Sequence, residues 1–385
     1  MSSRHVLRVP YQARSIASRR INGAMLQSQA KSTIAAPRVN KTCPVVPFGA
    51  WKSQQLSSTS TRKDLSGRQF STAAEAPKEG GLANCKLAFI GTGKMAQAII
   101  GGIVRNGVQK TSNISVYDIN EDMVRDCAKR FPGVRSAATL FEACKDADMV
   151  VLAVKPQNVQ DMLNALKEEA AAHGGIPKTT VLISIIAGVP LVAFQSFAEV
   201  DYVVRAMPNT PVTVEQGCTV WCCTPGFPDQ TKAQVSELFG AIGDEICMSD
   251  ERFLDMATAI SGSGPAYVFL TMEAMIDAGV HMGFPRHIAE RLVINTLLGT
   301  CLYAIQSGEH VSKLRNDITS PGGTTASAIY NLERGGFRTT VSDAVWAAYR
   351  RSLELGGQDS NVGPGRPQRP LPSFWQKELQ DDTGQ

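Results

Sequence analysis

Histidine is scarce, five in 385 residues, and no two histidines stand at a metal-ligand spacing. The nine cysteines (Cys43, Cys85, Cys127, Cys144, Cys218, Cys222, Cys223, Cys247 and Cys301) include no C-x-x-C. These two absences argue against a bound structural metal and against a disulfide-stapled scaffold, leaving reduced core or surface thiols. The vicinal pair Cys222-Cys223 is either a redox-sensitive dithiol or two successive residues on opposite faces of a strand. No uninterrupted apolar run approaches the roughly 20 residues of a membrane span, so no membrane partner is expected. Acidic residues are missing altogether from residues 1–63, and the net charge of +4 is concentrated before residue 72. The remainder is neutral to acidic, which leaves no basic footprint for nucleic acid.

The acid-free stretch carries Arg4, Arg8, Arg14, Arg19, Arg20, Arg38 and Arg62 among Ser, Ala and Gln. This is the composition of an organellar transit peptide, expected over 1–70, with a disordered basic tail as the alternative. Arg68-Gln69-Phe70-Ser71 resembles a mitochondrial processing site, so the mature chain is expected to begin near Ser71. Residues 71–85 then read as a linker. At the other end, G-Q-D-S-N-V-G-P-G-R-P-Q-R-P-L-P opens a tail, 357–385, too poor in apolar residues to build a core. Trp375 is an isolated aromatic within it.

Between the tails, 43% hydrophobic and 19% charged residues can bury a sizeable core. From Lys86 apolar segments alternate with helical ones: Ile114 to Tyr117 and Glu121 to Arg130, Met149 to Val154 and Gln157 to Ala171, Val181 to Ile186 and Leu191 to Phe197, then Tyr202 to Ala206. Such alternation predicts an α/β Rossmann-type fold, a doubly wound parallel sheet, over 86–250. A smaller αβ section, Gly217 to Met248, extends it. Over 251–356 helical patterns follow one another, with Pro265 and Pro285 at helix starts and Gly279, Gly283 and Gly308 at helix ends. The long apolar faces around Val268, Phe269, Met272 and Met275, and around Leu292, Ile294, Leu297 and Leu298, exceed what one small bundle needs. They predict a helical dimerisation domain.

Lys86 to Gly101 reads strand, tight turn, helix. The turn Gly91-Thr92-Gly93, with Lys94, Met95 and Ala96 opening the helix, makes G-x-G-x-x-A. Glycines let a backbone approach a phosphate, and the first turn of a helix offers unpaired N–H groups and partial positive charge. The turn is therefore a pyrophosphate cradle or an ordinary βα turn. Ligands of such sheets lie at the carboxyl ends of the strands, which brings in Asp118, Val154-Lys155-Pro156, Ala187-Gly188 and Met207-Pro208-Asn209. Asp118 follows Gly93 by ~25 residues, about where an acid takes the adenosine ribose hydroxyls and repels a 2′-phosphate; the alternative is a helix N-cap. A second glycine-rich element, Thr319-Ser320-Pro321-Gly322-Gly323-Thr324-Thr325, also opens a helix and suits a small carboxylate, unless its hydroxyls merely cap.

Three more elements, A-V-K-P-Q (Ala153 to Gln157), R-A-M-P-N-T-P (Arg205 to Pro211) and S-G-S-G-P-A-Y (Ser261 to Tyr267), join L-R-N-D-I-T-S-P-G-G-T-T-A-S-A-I-Y-N-L-E (Leu314 to Glu333). Over residues 86–355 the chain resembles the pyrroline-5-carboxylate reductase family. The resemblance implies NAD(P)H-dependent reduction of the cyclic imine 1-pyrroline-5-carboxylate to L-proline, by a homodimer or a ring of dimers. It implies that Ile90, Gly91, Thr92, Gly93, Lys94 and Met95 hold the dinucleotide, with Val154 and Lys155 beside it and Asp118, Ala187 and Asn209 at the same strand ends. The substrate carboxylate would lie on Ser320, Gly322, Gly323, Thr324 and Thr325, with the catalytic Thr325 hydroxyl near the ring nitrogen. Reduction of C=N needs positioning and a hydrogen bond to nitrogen rather than a nucleophile or metal. The family's NADPH users usually carry small hydroxyl or basic residues at the Asp118 position, so the acid leans towards NADH. A β-hydroxyacid dehydrogenase would want a lysine on a core helix, absent from Pro265 to Ala278 and from His287 to Ile305. A non-catalytic dinucleotide-binding protein is the other alternative.

Overall fold

The structure, a computed structural model, describes residues 81–366 except Gly174. All of them belong to one of the chain's two compact units, Thr61–Gln385. The transit-peptide and processing-site expectations, most of the linker, Cys43, and the tail beyond residue 366 with Trp375 lie outside the described residues.

Eight strands, β1 (Leu87–Ile90), β2 (Ile114–Tyr117), β3 (Arg135–Ser136), β4 (Met149–Leu152), β5 (Val181–Ser184), β6 (Tyr202–Met207), β7 (Gly217–Cys223) and β8 (Gly243–Cys247), form one sheet. Their order is β3-β2-β1-β4-β5-β6-β7-β8. β1, β4 and β5 are buried along their whole length, as strands covered on both faces must be. Leu87 and Phe89 point into a core shared with α1 (Lys94–Arg105), α2 (Glu121–Arg130) and α6 (Asp229–Gly240). Ala88 and Ile90 point into the opposite core, built by α3 (Leu140–Cys144), α4 (Val159–Ala171) and α5 (Leu191–Ala198).

The sheet departs from the all-parallel expectation at β7, which runs antiparallel to β6. A parallel return needs a crossover of a dozen or more residues. Only 208–216 lie between these strands, coiled into a short 3₁₀ turn, Thr210–Val214. β3 and α3 are unforeseen: the strand is two exposed residues and the helix five, too short to show a period.

Six helices follow: α7 (Arg252–Ala257), α8 (Gly264–His281), α9 (Arg286–Ser307), α10 (Val311–Asp317), α11 (Thr324–Arg334) and α12 (Phe337–Leu355). A five-residue π-turn, Thr258–Gly262, joins α7 to α8. Gly279 does not end a helix. It lies inside α8, where a Cβ would stand 3.1 Å from the Cβ of Ala289, so it lets α8 and α9 approach closely. By length and composition α9 could cross a membrane, although Arg286, Glu290 and Arg291 interrupt the apolar run in its first turns.

Both ends of the described chain correct the sequence expectation. Leu82, placed in the linker, is fully buried in a 3₁₀ turn whose Leu82 and Cys85 carbonyls both accept from Gln109 Nε2 at 2.7 Å. Residues 357–366, placed in the disordered tail, fold back on α12. There Arg350 donates to the Val362 and Pro364 carbonyls (2.9 and 3.0 Å), and Gly363 lies so close over Trp346 that a Cβ would meet the ring at 2.4 Å.

The sheet and the helices meet at a buried ion cluster. Arg205, on β6, donates from Nη2 to Asp255 Oδ1 (2.7 Å) and from Nη1 to Glu251 Oε1 (3.0 Å); the side chains of Arg205 and Asp255 are 3% and 2% exposed. Ser352, on α12, donates to the same Asp255 oxygen at 2.7 Å. Removing one member leaves a buried charge without its partner, so Asp255→Ala is expected to cost about 3–5 kcal/mol, read as a fall in the urea midpoint. A midpoint unchanged from the parent would mean that water reaches Arg205 freely.

Candidate functional site

β1 lies between β2 and β4, where the strand order reverses and a crevice opens at the carboxyl ends. The glycine turn is seated in this crevice from both sides. The Gly91 N–H donates to the Tyr117 carbonyl at the end of β2, and the Ala153 N–H beyond β4 donates to the Ile90 carbonyl, each at 2.8 Å. Gly91 has φ +95°, and a Cβ there would lie 2.8 Å from the Ala153 oxygen. Both constraints demand glycine.

Gly93 is glycine for a different reason. It is the N-cap of α1 in extended conformation, with no side-chain cap and nothing within 4 Å of an added Cβ. The N–H groups of Lys94, Met95 and Ala96 have no intrahelical acceptor, so the start of α1 presents donors across open space. Thr92, buried between the glycines, turns away: its N–H and hydroxyl donate to Asp118 Oδ2 at 2.7 and 3.2 Å, and its carbonyl accepts from Gln97 Nε2 at 2.9 Å.

Asp118 is therefore bonded to the glycine turn. Its second oxygen accepts from the Asn120 N–H, and Asn120, not Asp118, is the side-chain N-cap of α2. That disposes of the capping alternative and places the carboxylate beside the turn. The Ile90 side chain is buried in the core, so only its backbone faces the crevice. Val154 and the exposed Lys155 follow β4 into a 3₁₀ turn, and Ala187 sits in the turn after β5. Asn209, after β6, is buried with its amide engaged: Nδ2 donates to the Ser261 carbonyl at 3.1 Å and Oδ1 accepts from the Cys218 N–H at 2.9 Å. It joins β6 to the π-turn beside an apolar cavity of about 530 Å³ lined by Pro211, Ile260, Pro265, Tyr267 and Phe269. Sequence reasoning missed the Thr92–Asp118 and Asn209–Ser261 links, which join residues far apart in the chain.

The second glycine-rich element lies in the helical region. Gly322 has φ +71°, and Gly323 is the extended N-cap of α11 with no side-chain cap. The capping alternative thus fails. Among the described residues, the hydroxyls of Ser320, Thr324 and Thr325 have no hydrogen-bond partner, while Thr319 spends its own on the Arg315 carbonyl at 2.6 Å. α11 packs on α12, whereas the sheet is met chiefly by α7, so the two glycine elements are not packed together within one chain.

The vicinal thiols lie on opposite faces of β7, Cys222 in a small core with Leu254 and Cys223 against the larger one. Burial first, then the charge of Glu251, pushes the Cys222 thiol up to about 12. It is not a thiolate near neutral pH.

The open space at Gly93 makes it a clean probe. Gly93→Ala is expected to leave the urea midpoint unchanged yet weaken dinucleotide binding ~10-fold or more, because its methyl occupies only the approach to the helix start. Fluorescence titration with NADH checks this, and undiminished affinity would place the phosphates elsewhere.

Comparison with known proteins agrees with this geometry. Residues 251–355 match the family model for pyrroline-5-carboxylate reductase dimerisation, and residues 86–188 match that described as NADP oxidoreductase, coenzyme F420-dependent. A pyrroline-5-carboxylate reductase of Arabidopsis thaliana is 40% identical over 270 residues, 70% of this chain and 95% of that protein. Another, of Methanosarcina acetivorans, is 36% identical over 277 residues, 71% of this chain and 98% of that protein. Among solved structures, the Plasmodium falciparum pyrroline carboxylate reductase with NADP bound superposes with a TM-score of 0.64 at 33% identity, covering 72% of this chain and 100% of its own. The Coxiella burnetii pyrroline-5-carboxylate reductase gives 0.63 at 34%, covering 70% and 98%. Similarity of this extent, spanning both the sheet and the helices, means that the chain belongs to the pyrroline-5-carboxylate reductase family.

Proposed function

We propose that this chain reduces 1-pyrroline-5-carboxylate to L-proline with a reduced nicotinamide dinucleotide, working as a homodimer or a ring of dimers. The observation that carries the reading is the pair of bare helix starts, one at Gly93 in the strand-end crevice and one at Gly323 flanked by unspent hydroxyls. The first fits a dinucleotide: no Cβ fills it, and Asp118 stands beside it for the ribose.

A reduced nicotinamide held in this crevice would supply hydride to the imine carbon. The N–H groups of Lys94 and Met95 hold the pyrophosphate, and Val154, Lys155 and Ala187 line the strand ends beyond it. The N–H groups of Thr324 and Thr325 hold the substrate carboxylate, with the Ser320 and Thr324 hydroxyls beside it, while the Gly323 N–H is taken by the Ser320 carbonyl. As C=N becomes C–N, the nitrogen gains electron density and must carry a proton. The Thr325 hydroxyl at that nitrogen serves as hydrogen-bond partner and proton relay rather than as a strong acid.

The homodimer is supported by the faces of α8 and α9, where Phe269 and Leu270 are 64% and 67% exposed and Leu292, Ile294 and Leu298 continue the patch. Residues 1–70 are proposed to direct import into mitochondria, supported by the absence of acidic residues from 1–63. A full-length fusion to a fluorescent protein that stays in the cytosol would remove that proposal.

The test is oxidation of NADH and NADPH, in separate reactions, that depends on added 1-pyrroline-5-carboxylate. Thr325→Ala is expected to lower turnover ~10–100-fold without unfolding, the loss of one hydrogen bond to developing charge. Full activity in that variant would reduce Thr325 to a bystander. NADH is expected to be the better donor. Asp118→Asn keeps an oxygen for the Thr92 N–H while removing the charge, so it should improve NADPH relative to NADH by roughly tenfold. An unchanged ratio would remove Asp118 from cofactor choice.

A further inference from the structure

The turn after β5 touches the far end of the chain. Gly188 has φ +82°, and a Cβ there would stand 2.9 Å from the Leu355 Cβ, 3.0 Å from the Gly356 nitrogen and 3.0 Å from the Ser352 carbonyl oxygen. Seen from the other side the contact is tighter. A Cβ on Gly356 would lie 2.1 Å from the Gly188 oxygen. Gly356 itself has φ −86° and ψ 3°, a conformation any residue can adopt, so only the Gly188 backbone requires glycine at 356.

The last turn of α12 is held in place from several directions. Ser352 donates to Asp255 at 2.7 Å, inside the ion cluster with Arg205. The Gly356 N–H donates to the Ser352 and Leu353 carbonyls (3.2 and 3.1 Å), and the Gln358 N–H returns to the Leu353 carbonyl at 2.9 Å. Beyond it, residues 357–366 strap back over Trp346 and Arg350. The family's dimerisation model ends at residue 355, so Gly356 and the strap lie beyond the matched region.

We propose that Gly356 is a positioning residue for the dinucleotide site. The end of α12, seated on the ion cluster, acts as a backstop that sets the turn Ala187-Gly188 at the carboxyl end of β5. Through this contact the helical region fixes one wall of the crevice. The inference rests on the proposed function, because it takes Ala187 as part of the dinucleotide wall. A methyl at position 356 must push either the turn or the helix end aside by more than an ångström, and displacements of that size in a binding wall are felt strongly.

The experiment is fluorescence titration with NADH and NADPH on the full chain, alongside urea unfolding. Gly356→Ala is expected to raise the dissociation constant of the better cofactor about tenfold. Gly357→Ala is the control: Gly357 has φ +66° and nothing within 4 Å of an added Cβ, so that variant strains the helix end without reaching Gly188. It is expected to lower the urea midpoint and keep parental affinity. Parental affinity in Gly356→Ala overturns the inference, and so does equal weakening in both variants, which would make helix-end stability the cause. If Gly356→Ala does not fold, Ser352→Ala carries the test, since it removes only the hydroxyl bond that seats the last turn; parental affinity in that folded variant also overturns it. A parent protein that binds neither cofactor would instead overturn the proposed function.

Discussion

A single buried guanidinium holds the sheet and the helices that follow it in one arrangement. Arg205 reaches Asp255 with both terminal nitrogens, at 2.7 and 3.4 Å, and Glu251 with one of them. Burial opposes its charge, but the hydrogen bonds and charges of Asp255 and Glu251 more than offset this and raise its pKa. Such a cluster adds little net stability over an apolar core, yet it is costly to leave half made. Its value is directional. Glu251 also accepts from the Leu191 N–H at 2.8 Å, and Asp255 from Ser352, so β6, the start of α5, α7 and α12 share one set of charges. Any rotation of the helices against the sheet would leave at least one charge unsatisfied.

The two glycine elements show one physical solution used twice. α2, α3 and α10 begin on side chains that accept from their first turn, Asn120, Thr139 and His310. α1 and α11 begin on extended glycines and leave those donors unclaimed, although Thr92 and Ser320 stand nearby. α12 also begins on a glycine, Gly336, but a left-handed one at φ +70°, a turn geometry rather than an open cradle. The distinction lies in where the neighbouring hydroxyls go. Thr92 is drawn off by Asp118, and the Ser320 carbonyl accepts from the Gly323 N–H at 3.0 Å, tightening the loop while its hydroxyl stays outside.

The fold was legible wherever an element was long or wholly buried. β2, α2 and β7 span the residues that periodicity indicates, and the glycine turn announced itself because φ above zero and close backbone approach leave glycine little competition. Legibility failed where the deciding partner lay far away in the chain. Nothing near Gly279 reveals that Ala289 packs against it, and nothing near Gly356 reveals Gly188. The tail was judged by its own composition, yet residues 357–366 need no core of their own, because Trp346 and Arg350 supply the surface and the donors. Asp118 was ambiguous for the same reason: its role depends on Thr92, 26 residues earlier, which took one oxygen and left capping to Asn120.

The apolar faces of α8 and α9 raise the question of what covers them, since hydropathy alone would admit lipid. The polar side chains of α9 are compatible with protein. Thr296 donates to the Leu292 carbonyl at 2.8 Å, Thr300 to the Thr296 carbonyl at 2.7 Å and Asn295 to the Arg291 carbonyl at 2.7 Å, so each is satisfied within its own helix. A face of this kind can be buried against another helix without orphaned donors. At the tip of the hairpin, however, Arg286 pairs with Asp277 at 2.8 Å while both remain half exposed, and Glu290 and Arg291 follow one turn later. Charges at the end of an apolar face suit the polar rim of a protein interface, with Phe269, Leu270, Leu292 and Leu298 as its dry centre. The match to a dimerisation domain over these same helices makes a second copy of the chain the economical covering.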